Sequence, residues 1–187
     1  MTRVLGISGS LRRDSHNTNL LRAAAEAAGP DVEFELYDGL KEIPPYDEDD
    51  DVHPRPASVA LLNSAIADAD AVLFSTPEYN SSIPGQLKNA IDWVSRPVAT
   101  NVLRNKPVAV VGASTGAFGA VWAQAELRKV LAALGARVID LELPVPQAHT
   151  RFEDGVLTDD EIRAGLAAAI ETLADEVRAS KEQQVTA

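Results

Sequence analysis

The residues best placed to do chemistry in this chain form the stretch Gly9-Ser10-Leu11-Arg12-Arg13-Asp14-Ser15-His16-Asn17. It follows the apolar run Val4-Leu5-Gly6-Ile7 and opens onto a helical pattern. Free N–H groups at a helix start carry partial positive charge and suit a phosphate. The hydroxyls of Ser10 and Ser15 and the amide of Asn17 can donate to its oxygens, and Arg12 supplies a full charge. Hydrogen bonds to charged groups contribute about 1.5–3 kcal/mol each, so a few of them hold one terminal phosphate well. The stretch lacks the third Gly of a dinucleotide fingerprint and the Lys of a triphosphate loop. A monophosphate is the better match. The alternative is a hydrophilic turn in which Ser15 only caps the helix. Arg13 and Asp14 read as solvated loop residues, and His16 as a surface imidazole with no evident partner.

Two further loops suit a flat polar ring. Thr76-Pro77-Glu78-Tyr79-Asn80-Ser81-Ser82-Ile83-Pro84-Gly85 is stiffened at both ends by proline. Its main-chain donors can meet the polar edge of a heteroaromatic ring, and Tyr79 can lie against one. Gly112-Ala113-Ser114-Thr115-Gly116-Ala117-Phe118-Gly119-Ala120 is built of small residues that let a ligand approach the backbone. A stiff connection and a Gly-rich turn are the bland alternatives. Glu78 has no His or second carboxylate at a fixed spacing, so the sequence offers no catalytic side chain. The acidic run Asp47 to Asp51 lacks the Gly and distal Glu of a calcium loop. It reads, with His53 nearby, as a solvated loop, and no metal site is expected.

The elements that must position these loops alternate. Expected strands are Val4–Ile7, Val32–Leu36, Ala71–Phe74, Val108–Val111 and Arg137–Leu141. Expected helices are Asn17–Ala28, Pro56–Ala67, Gln86–Val94, Val121–Leu134 and Thr158–Val177, each with apolar residues at helical spacing. Continuous apolar strands alternating with helices imply a doubly wound α/β fold with a parallel sheet covered on both faces. Ligands of such sheets sit beyond the carboxyl ends of the strands, where all three loops fall.

The 187 residues suit a single domain, expected over 1–178, with 179–187 as a frayed tail. Seventeen basic against 28 acidic residues give a net charge of −11. That argues against nucleic acid and anionic membranes, which need a basic face. No apolar run reaches the roughly 18 residues of a spanning helix. The start has no signal-peptide core. The absence of cysteine excludes disulfides and thiolate chemistry and fits a cytoplasmic protein.

Three segments together carry a family resemblance: Gly9-Ser10-Leu11-Arg12 with Ser15 and Asn17; Pro77-Glu78-Tyr79-Asn80 with Ile83-Pro84-Gly85; and Leu87-Lys88-Asn89-Ala90-Ile91-Asp92-Trp93. From Val4 to about Leu143 the chain resembles the NAD(P)H-dependent FMN reductases, relatives of chromate, quinone and azo-dye reductases. The resemblance implies a three-layer flavodoxin-like fold with five parallel strands in the order 2-1-3-4-5. It implies non-covalent FMN, NAD(P)H as co-substrate, a small-molecule acceptor, and assembly as a homodimer or homotetramer. It places Ser10, Arg12, Ser15 and Asn17 at the FMN phosphate. Pro77, Glu78, Tyr79 and Asn80 fall beside the ring, and Ser114, Thr115, Gly116 and Gly119 on its other side. The family often has two Gly-Gly pairs and an Arg in that last loop. Here Ala117, Ala120 and Trp122 stand instead, a departure that bears on nicotinamide approach and substrate width. The helix carrying Trp93 and Val94 falls near a subunit contact in the family, with core packing as the alternative. A flavodoxin-type electron carrier without a nicotinamide site, and a non-enzymatic mononucleotide-binding protein, are the competing functions.

Overall fold

The computed structural model describes residues 1–185; Thr186 and Ala187, the end of the expected tail, lie outside the described residues. Five strands form one parallel sheet: β1 (Thr2–Ser8), β2 (Val32–Tyr37), β3 (Ala71–Ser75), β4 (Pro107–Ala113) and β5 (Arg137–Val138). Their spatial order is β2-β1-β3-β4-β5, as the resemblance implies. Every residue of β3 and β4 is buried, which accounts for their unbroken apolar sequence. Alternate side chains point to opposite faces. Leu5, Ile7, Val72, Phe74, Val108 and Val110 enter one core cluster. Val4, Ala71, Leu73, Ala109 and Val111 enter the other.

Helices close both cores. α2 (Ala57–Asp68), α3 (Gly85–Val94) and α4 (Val121–Ala133) supply Leu62, Leu87 and Leu127 to the first. α1 (His16–Ala27) and α5 (Asp160–Val185) supply Leu20, Leu21, Leu166 and Leu173 to the second. α5 runs past Val177, the expected end of the last helix, and the described part of the expected tail is helical. Trp93 and Val94 are fully buried; the Trp93 indole donates to the Pro44 carbonyl at 2.9 Å and meets Tyr46 edge-on. Core packing is therefore what these two side chains do.

The fifth strand departs from expectation. β5 stops at Val138, and pairing with β4 resumes only at β6 (Pro144–Val145). Arg137 faces Pro107, an offset of 137 − 107 = 30, whereas Pro144 faces Gly112, an offset of 144 − 112 = 32. Two extra residues thus loop out between the halves. An apolar alternation does not reveal such an insertion, because both halves still present apolar side chains to the core. A short hairpin, β7 (Phe152–Glu153) and β8 (Val156–Leu157), then leads into α5. Its turn is Asp154-Gly155, with φ of 49° and 84°. Asp-Gly is a favoured pair for such a turn.

Candidate active site

The carboxyl ends of β1, β3 and β4 meet at one edge, and Asn17, at the start of α1, fastens the last two together. Its Nδ2 donates to the Ala113 carbonyl at 2.9 Å. Its Oδ1 accepts from the Ala113 N–H and the Ser75 hydroxyl, both at 2.9 Å. The residue is buried, so the start of α1 is locked to the ends of β3 and β4. The amide that sequence reasoning offers to a phosphate is thus engaged by the protein. Ser15 caps α1, its Oγ accepting from the N–H groups of Asn17 and Thr18 at 3.2 and 3.3 Å. Capping and anion binding coexist at a helix start, because one side chain leaves other N–H groups open.

The three loops enclose a cleft of about 320 Å³. Ser10, Arg12, Ser15 and Asn17 line one end; Pro77, Glu78, Tyr79, Ser114 and Thr115 line the other. Of the residues expected at the ring, Asn80, Gly116 and Gly119 are not among its lining. Asn80 and Ser81 form the corner of a tight turn with φ of 53° and 61°, closed by two hydrogen bonds between Tyr79 and Ser82. The Gly116 N–H is directed to the Ser114 hydroxyl and its carbonyl to the Gln147 N–H. Gly119 is buried at φ 61°, where a Cβ would come within 2.6 Å of the Val145 nitrogen. That close approach is why glycine stands there.

Glu78 has a role the sequence conceals. Its Oε2 accepts from the N–H groups of Trp122 and Ala123 at 3.0 and 3.1 Å. Ala120, at the N-cap of α4, supplies no side-chain cap. The Glu78 carboxylate takes that place and meets the positive end of the helix. A carboxylate so engaged is a brace between the two ring-side loops. Ser82 adds a second tie, its hydroxyl donating to Glu126 Oε2 at 2.6 Å. Beside the brace Phe118 and Trp122 pair edge to face, centroids 4.9 Å apart, and both, with Tyr79, are exposed.

His16 also lines the cleft, and sequence reasoning placed it on the open surface. Its ring stacks on Phe152 of the β7–β8 hairpin, 5.5 Å between centroids. Burial first, then the positive fields of Arg12 and His149, hold its pKa below the usual histidine value. Its Nδ1 is buried without a hydrogen-bond partner. The signal for this placement was the Asp154-Gly155 turn, which brings Phe152 back over α1. Arg12, with no salt bridge among the described residues, lines the cleft together with His16, whose Nδ1 has no hydrogen-bond partner, and the pair fits a phosphorylated cofactor. The same residues offer no metal site: no group of three His, Asp or Glu among the described residues is placed to hold an ion.

A parallel sheet in this order, with a phosphate loop after β1 and two backbone-rich loops after β3 and β4, defines a flavodoxin-like, mononucleotide-binding protein. Residues 2–150 match the model of the family described as NADPH-dependent FMN reductase, and the chain belongs to that family. It is 43% identical over 163 residues to an NAD(P)H-dependent FMN reductase of Pseudomonas aeruginosa, covering 86% of this chain and 87% of that one. It is 38% identical to a 2-hydroxy-1,4-benzoquinone reductase of a Burkholderia species, covering 92% and 94%. Among solved structures, FerB of Paracoccus denitrificans, a flavoenzyme NAD(P)H:(acceptor) oxidoreductase, superimposes with a TM-score of 0.84 at 36% identity. That match covers 95% of this chain and 98% of FerB. The protein is accordingly an oxidoreductase that works with FMN and NAD(P)H.

Proposed function

We propose that the protein passes reducing equivalents from NAD(P)H, through FMN held in the cleft, to a small acceptor such as a quinone, free flavin, azo dye or metal oxyanion. The observation that carries this reading is the single cleft joining a cationic phosphate end to a ring end walled by Pro77, Tyr79 and the Ser114–Thr115 backbone. Bound FMN supplies the redox chemistry, accepting a hydride and releasing electrons to the acceptor. The chain's own residues bind and orient. Arg12, Ser10, Ser15 and the start of α1 hold the phosphate. Pro77 and Tyr79 wall one side of the ring, and Ser114 and Thr115 offer donors toward it, which stabilise the charge that reduction places there. Glu78 keeps the two walls at a fixed separation. Asn17 acts from behind, by tying the start of α1 to the ends of β3 and β4. The described helices include none long and apolar enough to cross a membrane. A cytoplasmic location and a single domain are part of this reading. The exposed Phe118–Trp122 pair beside the cleft supports assembly as a homodimer or homotetramer across this edge.

The test is an anaerobic NADPH titration of the FMN-loaded protein. Rapid loss of the oxidised flavin absorbance, restored by a quinone, is expected. An electron carrier without a nicotinamide site would show slow or no loss, and a non-enzymatic binding protein no turnover with any acceptor. Arg12→Ala removes a charged hydrogen-bond donor worth about 1.5–3 kcal/mol. Its FMN dissociation constant, read from flavin fluorescence quenching, should rise roughly tenfold or more. An unchanged constant would remove Arg12 from the phosphate site.

A further inference from the structure

A second groove begins where the flavin cleft ends. It encloses about 460 Å³ and shares Ser10 and Arg12 with that cleft. From there it runs between α1 and the end of β2, past Arg13 and Arg22, to Lys41 on the far wall. Arg12 belongs to the flavin phosphate end; beyond it Arg13, Arg22 and Lys41 face two carboxylates, Asp38 and Glu42, a surplus of 3 − 2 = +1. A positive surplus, on a chain whose net charge is −11, is a local feature that overall composition hides. Arg13 and Lys41 have no salt-bridge partner among the described residues. The floor is different in kind: Leu36 and Leu40 contribute apolar surface, and Ser8 and Thr18 contribute hydroxyls. Asp38 directly follows β2 and can accept from a sugar hydroxyl.

Cations for a phosphate, a carboxylate for a ribose and an apolar wall for a base are the parts of a nucleotide subsite. Its place in the sheet says which nucleotide. The order β2-β1-β3-β4 puts the ring end of the cleft over β3 and β4, the phosphate loop over β1, and the basic groove beside β2. Three strand spacings separate β4 from β2, roughly 14 Å. A dinucleotide whose reacting ring lies over the flavin ring can reach across that span with its other half.

We propose that this groove receives the phosphorylated adenosine end of the pyridine nucleotide, and that Arg13 and Lys41 select NADPH over NADH by binding its 2′-phosphate. Two cations without a salt-bridge partner among the described residues, Arg13 and Lys41, match a dianionic phosphate monoester, a group NADH lacks. This rests on the NAD(P)H-dependent function proposed above. The shared chemistry, an adenosine phosphate, also occurs in the adenylate half of FAD, and the experiment separates the two sources.

FMN-loaded protein is titrated calorimetrically with adenosine 2′,5′-bisphosphate and with AMP. The bisphosphate should bind about tenfold tighter, a difference of one phosphate contact. The double variant Arg13→Glu/Lys41→Glu should erase that preference and raise the ratio of KM for NADPH to KM for NADH by about tenfold. The charge-neutral pair Arg13→Gln/Lys41→Gln should do so to a smaller extent; equal thermal melting of all forms establishes folding. Retention of the bisphosphate preference in both variants overturns the proposal. So does an unmoved KM ratio accompanied by weakened FAD binding to the apoprotein relative to FMN, which would give the groove to the flavin's adenylate. If neither nucleotide reduces the wild-type FMN complex, the underlying function has failed, an outcome visible before any variant is made.

Discussion

Asn17, Ser81 and His16 illustrate three uses of a polar side chain at this edge. Asn17 spends both ends of its amide on protein groups, and a buried Ala113 peptide would be left unpaired without it. Ser81 holds φ 61° at the corner after Tyr79, a conformation that costs an L-residue about 1–2 kcal/mol. Neighbouring Asn80 tolerates the same region through its short amide. Ser81→Gly should therefore raise stability by about 0.5–1 kcal/mol in urea unfolding, while Ser81→Val should lower it. Burial first, then Arg12 and His149, disfavour the protonated form of His16, and the uncharged Phe152 ring lies on its face. Its folded pKa lies below the unfolded value of 6.5, so its contribution to stability is full above that value and is lost as pH falls below it. A phosphate dianion reverses the local field and draws a proton onto the ring. FMN binding should then take up a proton, and the dissociation constant should fall as pH drops from about 8 toward the histidine range. His16→Phe keeps the stack on Phe152 and should flatten that part of the profile. Parallel profiles for wild type and variant, measured by fluorescence quenching, would exclude His16 from the phosphate.

Among the elements, α4 depends on a side chain that does not belong to it. Ala120 sits at its N-cap in the left-handed region and caps nothing, and Glu78 substitutes from the loop after β3. Glu78→Ala should cost about 1 kcal/mol, the usual loss of a helix cap. It should also weaken FMN binding, because the brace between the ring-side loops goes with it. Glu78→Gln keeps an acceptor oxygen and should recover most of the stability. A Gln variant as unstable as the Ala variant would assign the effect to charge alone. The sequence made the core elements legible because periodicity is local: β1, β3, β4 and the helices announce themselves within a few residues. It also placed Ser10, Arg12, Ser15, Pro77, Tyr79, Ser114 and Thr115 at one cleft, since strand ends of a parallel sheet share an edge. What it withheld depends on distance. Glu78 and Trp122 are 44 residues apart, and the two-residue loop within the fifth strand is visible only against β4. The Asp154-Gly155 turn was readable, but its strands are two residues each, too short to alternate. Asp38 and Lys41 share one segment after β2 and Arg13 lies in another after β1, and only the β1–β2 pairing brings the two together.

At the scale of the whole molecule, one face of the sheet depends on α5, a 26-residue helix whose Leu166, Ile170 and Leu173 complete the second core. Burial drives its docking, but two carboxylates fix its ends. Asp159 accepts from the Ile162 N–H at 3.1 Å and pairs with Arg151 at 2.7 Å, tying the helix start to the hairpin that carries Phe152. Asp70, just before β3, accepts from the Arg3 N–H at 2.9 Å and pairs with Lys181 at 2.9 Å, tying the far end to β1 and β3. The Ile162 N–H, with Arg151 beside it, lowers the Asp159 pKa. At Asp70 burial pushes the other way, and the Arg3 N–H and Lys181 outweigh it, so that pKa is lowered too. Both folded values lie below the unfolded 3.8. The unfolded chain therefore binds the extra protons first as acid is added. The stabilisation is present above that value and is lost as pH falls through the folded values. Lys181 is more than half exposed, so screening keeps its pair weak, and the N–H contacts carry most of the effect. Asp70→Asn and Asp159→Asn should each lower stability at pH 7 by about 0.5–1.5 kcal/mol in urea unfolding. The difference from wild type should shrink as pH is lowered through about 4 toward 2. High salt should reduce the Asp70 difference less than a pure surface ion pair would allow, because the Arg3 N–H contact is not screened away. A constant gap between wild type and variants down to pH 2 would mean that these carboxylates fasten α5 through shape rather than charge.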